Sequence, residues 1–271
     1  MNELNFMHEN ISGIYNYCDR WCEKCTYTNR CLLFKQEAER EIKHILRDEN
    51  KNDPDILAKD LSDDFKEAFD HINKFMDEED EEYEELEKDD FDLEDEDYED
   101  GDNENGDFFK KEFDDDERPS TFLKNADNPL ISLSEKLFKD FFDYYDVLKV
   151  KMPGELDERN PKSILQQYLD TLGWYTPQIH VKIRMSYWNK HKLSKAKYPE
   201  LADIDEEMLN VSARIAFIGI ENCIIALNNL LQQKLGLESE TTSLLFTINQ
   251  IKEMFVEEFP AVLTYRRPYF D

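Results

Sequence analysis

ARIAFIGIENCIIALNNLL, residues 213–231, is the most apolar stretch of the chain and decides the fold class. With its flanks it predicts one long helix from about Ile204 to Leu235, with Gly236 as a natural stop. Working outward, a final helix is expected from about Glu240 to Phe259, ended by Pro260 and followed by an irregular tail, PAVLTYRRPYFD. On the other side, Asn128-Pro129 opens a helix through Val150 that Pro153-Gly154 ends. Pro161 opens another reaching Leu172, and Trp174 to Lys192 continues it, with Thr176-Pro177 reading as a fresh N-cap and first helical residue, so that the stretch fits either one kinked helix or two. Nearer the start, CLLFKQEAEREIKHILRDEN carries Leu32, Leu33, Ile42 and Ile45 on or near one helical stripe. Residues Pro54 to Met76 repeat apolar side chains at spacings of three and four. Only 7 Gly and 9 Pro occur in 271 residues, which is low for a protein of many strands and turns. The expected class is therefore all-α, a helical bundle of about five to six helices.

The net charge of −30 is concentrated in one place. From Asp77 to Glu117, 26 Asp or Glu stand against 3 Lys, a local charge of −23 that leaves only −7 for the rest of the chain. Like charges at that density resist packing, so an acidic disordered insertion is expected, with Phe91, Tyr98, Phe108 and Phe109 as short docking elements if it has any. The expected organisation is residues 1–76 as a four-cysteine segment with two helices, 77–119 as the acidic linker, and 120–271 as a C-terminal bundle packing with the N-terminal helices as one domain. No stretch approaches the roughly 20 apolar residues a bilayer crossing needs, and MNELNFMHENISGIYNY has no charged region leading into an apolar one. A cytoplasmic protein is expected.

Four of the five cysteines, Cys18, Cys22, Cys25 and Cys31, fall within fourteen residues, in CDRWCEKCTYTNRC. In a reducing compartment clustered thiols point to metal ligation rather than disulfides. The C-x2-C pair is a short knuckle whose sulfurs can reach one metal, and the x5 spacing returns a further thiolate. Cys223, alone in the apolar helix, reads as a small buried hydrophobe. Arg20, Lys24 and Arg30 would offset part of the negative charge of four thiolates. The leading cofactor is a [4Fe-4S] cluster, with structural zinc as the alternative.

Cys22-x2-Cys25-x5-Cys31 resembles the [4Fe-4S] loops of endonuclease III-type DNA glycosylases and of WhiB-like regulators, and the resemblance implies cluster ligation by these cysteines. It covers Cys18 to about Phe34, and neither a helix-hairpin-helix core nor the WhiB helical signature accompanies it. The first three cysteines also resemble the radical SAM pattern C-x3-C-x2-C, but Lys24 stands where that family carries an aromatic, and the barrel it needs is not signalled. YNYCDRWCEKC together with NVSARIAFIGIEN resembles an uncharacterised family of bacterial all-helical proteins, which implies the fold class and no activity.

Glu41-x-x-His44 matches half of a di-iron bundle site, but no second Glu-x-x-His occurs, so a solvated surface pair is expected. Glu67 and His71 give a similar weak pattern. Glu221 and Asn222 interrupt the apolar helix, and a carboxylate buried there needs a cation: Arg184, Lys182, His180 or Arg214. His180, Arg184, Trp188 and His191 recur at helical spacing, so an enzyme with a pocket around Glu221, Arg184, His180 and Trp188 is the alternative function, and a structural ion pair the plainer one. Between His180 and Lys197 six Lys or Arg occur with Tyr187 and Trp188, yet the overall charge argues against nucleic acid. No glycine-rich phosphate loop or nucleophile elbow occurs. The sequence thus predicts a metal-binding helical protein of structural, regulatory or sensing role. An acidic interaction protein acting through residues 77–117, an unidentified protein partner and a homodimer remain compatible with it.

Overall fold

The computed structural model describes residues 10–51, 53–62, 66, 128–152, 163–195 and 199–271. The acidic tract, most of the Pro54–Met76 helix, and Glu67 and His71 lie outside them. Among the described residues there are helices, turns and no strand. They fall into two compact units: Asn10 with the residues from Thr28 to residue 66, and Ile11–Tyr27 with those from Asn128 onward. The unit boundary thus falls inside the cysteine segment, between Tyr27 and Thr28, whereas the sequence grouped residues 1–76 together.

In the first unit, a 3-10 turn over Thr28–Arg30 leads into α1, Leu32–Arg47. Asp48 closes α1 in the left-handed region (φ 54°), its amide and that of Glu49 capping the last carbonyls. Residues 54–62 are helical as well.

The second unit is a four-helix bundle of α2 (Pro129–Lys151), α3 (Ile164–Ser194), α4 (Pro199–Gln232) and α5 (Glu238–Glu258). Asn128 caps α2 by accepting from the amides of Leu130 and Ile131, with Pro129 at the position where a missing N–H costs nothing. Ser163 caps α3. Contacts run α2 to α3, α3 to α4, α4 to α5 and α5 back to α2, closing a ring in which the α3–α4 seam is the most extensive.

The core follows helical periodicity: Leu169, Leu172, Ile179 and Ile183 from α3, Ile215, Ile220 and Leu227 from α4, and Ile248, Ile251 and Phe255 from α5 are essentially inaccessible. Gly219 lets the two longest helices approach, because a Cβ there would stand 3.1 Å from the Tyr175 ring and 3.2 Å from Ile179. Part of α4, Ala202–Gln232, is long and apolar enough to cross a membrane, against the expectation that no stretch comes close. Here it supplies the largest share of the bundle core.

Three expectations are corrected. Thr176-Pro177 does not start a helix, since α3 runs unbroken through Pro177 and the Thr176 hydroxyl is buried without a hydrogen bond. Proline removes one backbone bond, that to Gly173, and the packing of Tyr175 and Ile179 on both sides outweighs the loss. The long apolar helix begins at Pro199 and stops at Gln232, with Lys234 (φ 53°) and Gly236 (φ 71°) making the turn into α5. The tail is not irregular throughout: Pro260–Leu263 form a 3-10 turn, and Arg267, buried, clasps Asp271 at 2.9 Å and donates to the Tyr17 carbonyl.

Burial alone would raise the Asp271 carboxyl, but hydrogen bonds from Arg267 and Arg214 outweigh it and hold the carboxyl down at about 2. A depressed carboxylate stabilises the fold above its unfolded value near 3.8, and that stability is lost as pH falls from there toward 2. Acid titration of unfolding should show a loss on the order of 1 kcal/mol across this window after solvent screening is allowed for, absent in Asp271→Asn. An unchanged profile in the variant would refute the assignment.

Candidate metal centre

The cysteine segment of the bundle unit is a series of tight turns. Gly13 (φ 67°) turns the chain into a 3-10 helix over Ile14–Asn16 whose Ile14 is buried. The Asp19 carboxylate then accepts from the Trp21 amide at 3.2 Å, an Asx turn that carries Arg20 into the left-handed region (φ 61°). Arg20 offers its carbonyl to the Cys22 amide at 3.0 Å. Cys22–Lys24 is a second 3-10 turn, closed by the Cys25 amide on the Cys22 carbonyl at 3.1 Å. The C-x2-C pair is thus the two ends of one turn, and the next amide, Tyr27 N–H, donates to the Cys25 sulfur at 3.4 Å.

These turns are held on α3 through Asp19. Its Oδ2 accepts the Tyr175 hydroxyl at 2.6 Å, while its carbonyl accepts from Trp174 Nε1 at 3.2 Å and Gln178 Nε2 at 2.6 Å. Asn222 from α4 hydrogen-bonds the same Tyr175 hydroxyl, and burial together with the Asp19 carboxylate pushes that phenol far above its usual range. Trp21 stacks on Trp174, with ring centroids 5.5 Å apart, and meets Tyr175 edge-on. Lys24 Nζ caps the Trp21 ring at 3.5 Å. At the far end, Tyr27 packs on Phe270 and donates to the Tyr269 carbonyl at 2.8 Å.

Truncating Asp19 to Ala removes the acceptor of a part-buried hydroxyl and the Asx turn together. The bundle unit should lose roughly 1–3 kcal/mol, with faster proteolysis of the 11–27 segment. Tyr175→Phe should cost less, since it leaves the turn intact. Equal stability of Asp19→Ala and wild type would show that the clamp contributes nothing.

The four thiols are half-buried and none is in a disulfide, whereas Cys223 is enclosed in the core, where burial pushes its thiol far up. Cys18 donates its S–H to the Tyr15 carbonyl at 3.4 Å, and burial is the main cause that raises it. Lys182, one turn beyond Gln178 on α3, comes near Cys18: burial and then the Arg20 charge push its ammonium down, and Cys18 pulls it up. In the first unit, Cys31 is the extended residue that starts α1, its carbonyl accepting from the Lys35 amide at 3.2 Å. Among the described residues no three His, Cys, Asp or Glu side chains converge as a metal site. The donor chemistry nonetheless suits a thiolate-bound metal: a turn carrying two cysteines, an amide aimed at one sulfur, and cations beside another. A bound cation would also reverse the penalty that keeps Cys18 protonated.

The alternative pocket is not assembled as expected. Glu221 pairs with Lys252 of α5, rather than with Arg184, Lys182, His180 or Arg214, and is half exposed. Arg214 instead serves the tail, through Asp271 at 2.9 Å and the Val262 carbonyl at 2.7 Å. His180 meets the Ser134 hydroxyl of α2 at 3.0 Å, and burial followed by the Arg184 charge lowers its basicity. Trp188 lies over His191. Rotation of α3 places His180 and Arg184 near Glu135 of α2, away from the carboxylate on α4. In the basic stretch, Lys190 pairs with Glu258 at 2.5 Å and Lys192 with Asp205 at 2.6 Å. Glu41 pairs with Lys51 at 2.6 Å, but His44 is not the surface residue expected: it is buried, with its two ring nitrogens on Glu49 (3.0 Å) and Asp60 (2.9 Å).

Sequence reasoning missed Asp19, Trp174, Tyr175, Gln178 and Arg267. The available signal was an acid and a tryptophan spaced to make an Asx turn between two cysteines, but its partners lie about 155 residues away. No protein-family model, curated protein or solved structure matches this chain.

Proposed function

We propose that the protein binds a metal centre through Cys18, Cys22, Cys25 and Cys31, a [4Fe-4S] cluster in a structural, regulatory or sensing role. The observation that carries this reading is the turn over Cys22–Cys25 with the Tyr27 amide on the Cys25 sulfur, clamped to α3 by Asp19. Hydrogen bonds to thiolate sulfurs are among the means by which proteins tune such centres. Cys31 enters the ligand set by its sequence spacing. When bound, the cluster would supply four strong thiolate bonds to a segment otherwise held by a few hydrogen bonds and stacked rings, and a redox-active group.

The chain's own residues divide the work. Asp19 fixes the segment, Trp21 shields it against Trp174, and Lys24 and Lys182 bring positive charge to an anionic site. With the ligands on one short peptide leading into α1, gain or loss of metal would change the order of that peptide first, as a sensing or structural role requires. Anaerobic purification followed by iron, acid-labile sulfide and zinc analysis tests the reading. About four irons and four sulfides per chain, with brown colour, are expected. Colourless protein with one zinc per chain would replace the cluster by zinc, and metal-free protein would refute both.

A further inference from the structure

We propose that the aromatic groove between α2, α3 and the Cys22–Lys24 turn binds a small organic cation, an alkylated ammonium carried on an apolar body. The groove lies wholly within the bundle unit, and nothing in the proposal depends on a metal at the cysteines. It encloses about 590 Å³, a volume in the range of small-molecule sites. From α2 come Phe142, which is 44% exposed, and Tyr145; from α3 comes Trp174, with Trp21 stacked on it. Gly173 leaves the floor between them open. A glycine inside a helix weakens it, and here neither a positive φ nor packing requires one, since an added Cβ would come no closer than 4.0 Å to the Phe141 ring.

The chain's own lysines show which charge these rings take. Lys149 Nζ stands 4.4 Å from the Tyr145 ring centroid and Lys24 Nζ 3.5 Å from that of Trp21, although both lysines are exposed and water is open to them. An alkylated ammonium is less strongly hydrated than a lysine head and carries apolar surface that the groove can bury, so it takes the Tyr145 face while Lys149 swings back into water. Glu23 and Asp170 line the same opening, and a cation there meets carboxylates as well as rings. An anion would meet the same carboxylates and the negative faces of the rings.

The test is isothermal titration calorimetry of the full chain with benzyltrimethylammonium, with benzyl alcohol and phenylacetate as neutral and anionic probes. The cation should bind saturably with a Kd on the order of 1 mM or below, and about tenfold tighter than either other probe. Gly173→Leu, which fills the floor, should abolish binding, while Gly173→Ala should keep the fold and most of the affinity. Asp170→Asn should weaken binding about threefold, and Lys149→Gln, which frees the Tyr145 face, should tighten it about threefold. If Gly173→Leu fails to fold, the Asp170 and Lys149 variants carry the test. Equal affinity for the cation and benzyl alcohol would reduce the groove to an apolar slot and overturn the proposal. Absence of saturable binding, or affinity unchanged in both charge variants, would overturn it as well. Iron and zinc content of the same samples reports on the metal reading separately.

Discussion

Replacing Cys22 by Ser is expected to reduce bound metal to about a tenth or less of the wild-type stoichiometry, with the helical content of the bundle unchanged. Cys22 opens the turn that Cys25 closes, so its loss removes one of two sulfurs presented by the same few backbone atoms. A serine hydroxyl is not deprotonated at neutral pH as a metal-bound thiol is, and it cannot replace the thiolate. Cys223→Ala is the matched control: its thiol lies wholly in the core, so metal content should be unaffected and the cost a modest one for a small cavity. Metal retained by Cys22→Ser at wild-type stoichiometry would exclude this segment as the binding site. Asp19 holds this segment on α3 through Trp174, Tyr175 and Gln178, which is why metal loss and unfolding should separate in the experiment.

Phe255→Ala should destabilise the bundle unit by about 3–5 kcal/mol, read from urea denaturation followed by circular dichroism. Phe255 on α5 is 0% exposed and packs against Phe259, whose ring centroid is 5.0 Å away. Removing a whole ring at the end of α5 leaves a cavity that Phe259, already tied to Tyr187 of α3, cannot fill without giving up that contact. Phe255→Leu keeps most of the volume and should cost well under half as much. A loss below about 1 kcal/mol for Phe255→Ala would mean that the end of the bundle collapses freely around the gap. The same change should leave the Asp19 clamp in place, because its partners sit on α3 and α4 and not on α5.

Some features were legible without a structure because they are local. Asn128-Pro129 is a helix start wherever it is placed, since one side chain satisfies two free amides and the proline needs none. Gly236 marks a turn because its backbone requires a positive φ. The apolar run at residues 213–231 had to be buried, as Ile215, Ile220 and Leu227 are. Thr176-Pro177 misled because the same two residues make a good cap in isolation, and only the packing of α3 along its whole length makes the unbroken helix cheaper. Glu221 misled for a related reason: periodicity says which residues share a face of α3, but not which neighbouring helix that face meets. The burial of His44 is not legible locally, because neither Glu49 nor Asp60 stands at the helical spacing that links partners on one face.

The sequence by itself determined that the chain is helical, where most helices begin and end, and that four thiols lie close enough along one peptide to be ligands. Those properties depend on backbone hydrogen bonding and residue spacing within a few turns. Only the tertiary structure decided that Asp19 is the clamp of the cysteine segment, that Glu221 meets Lys252 of α5, and that Arg267 locks the tail to Tyr17. Each depends on how elements distant in sequence pack against one another, which core packing fixes and no local pattern does.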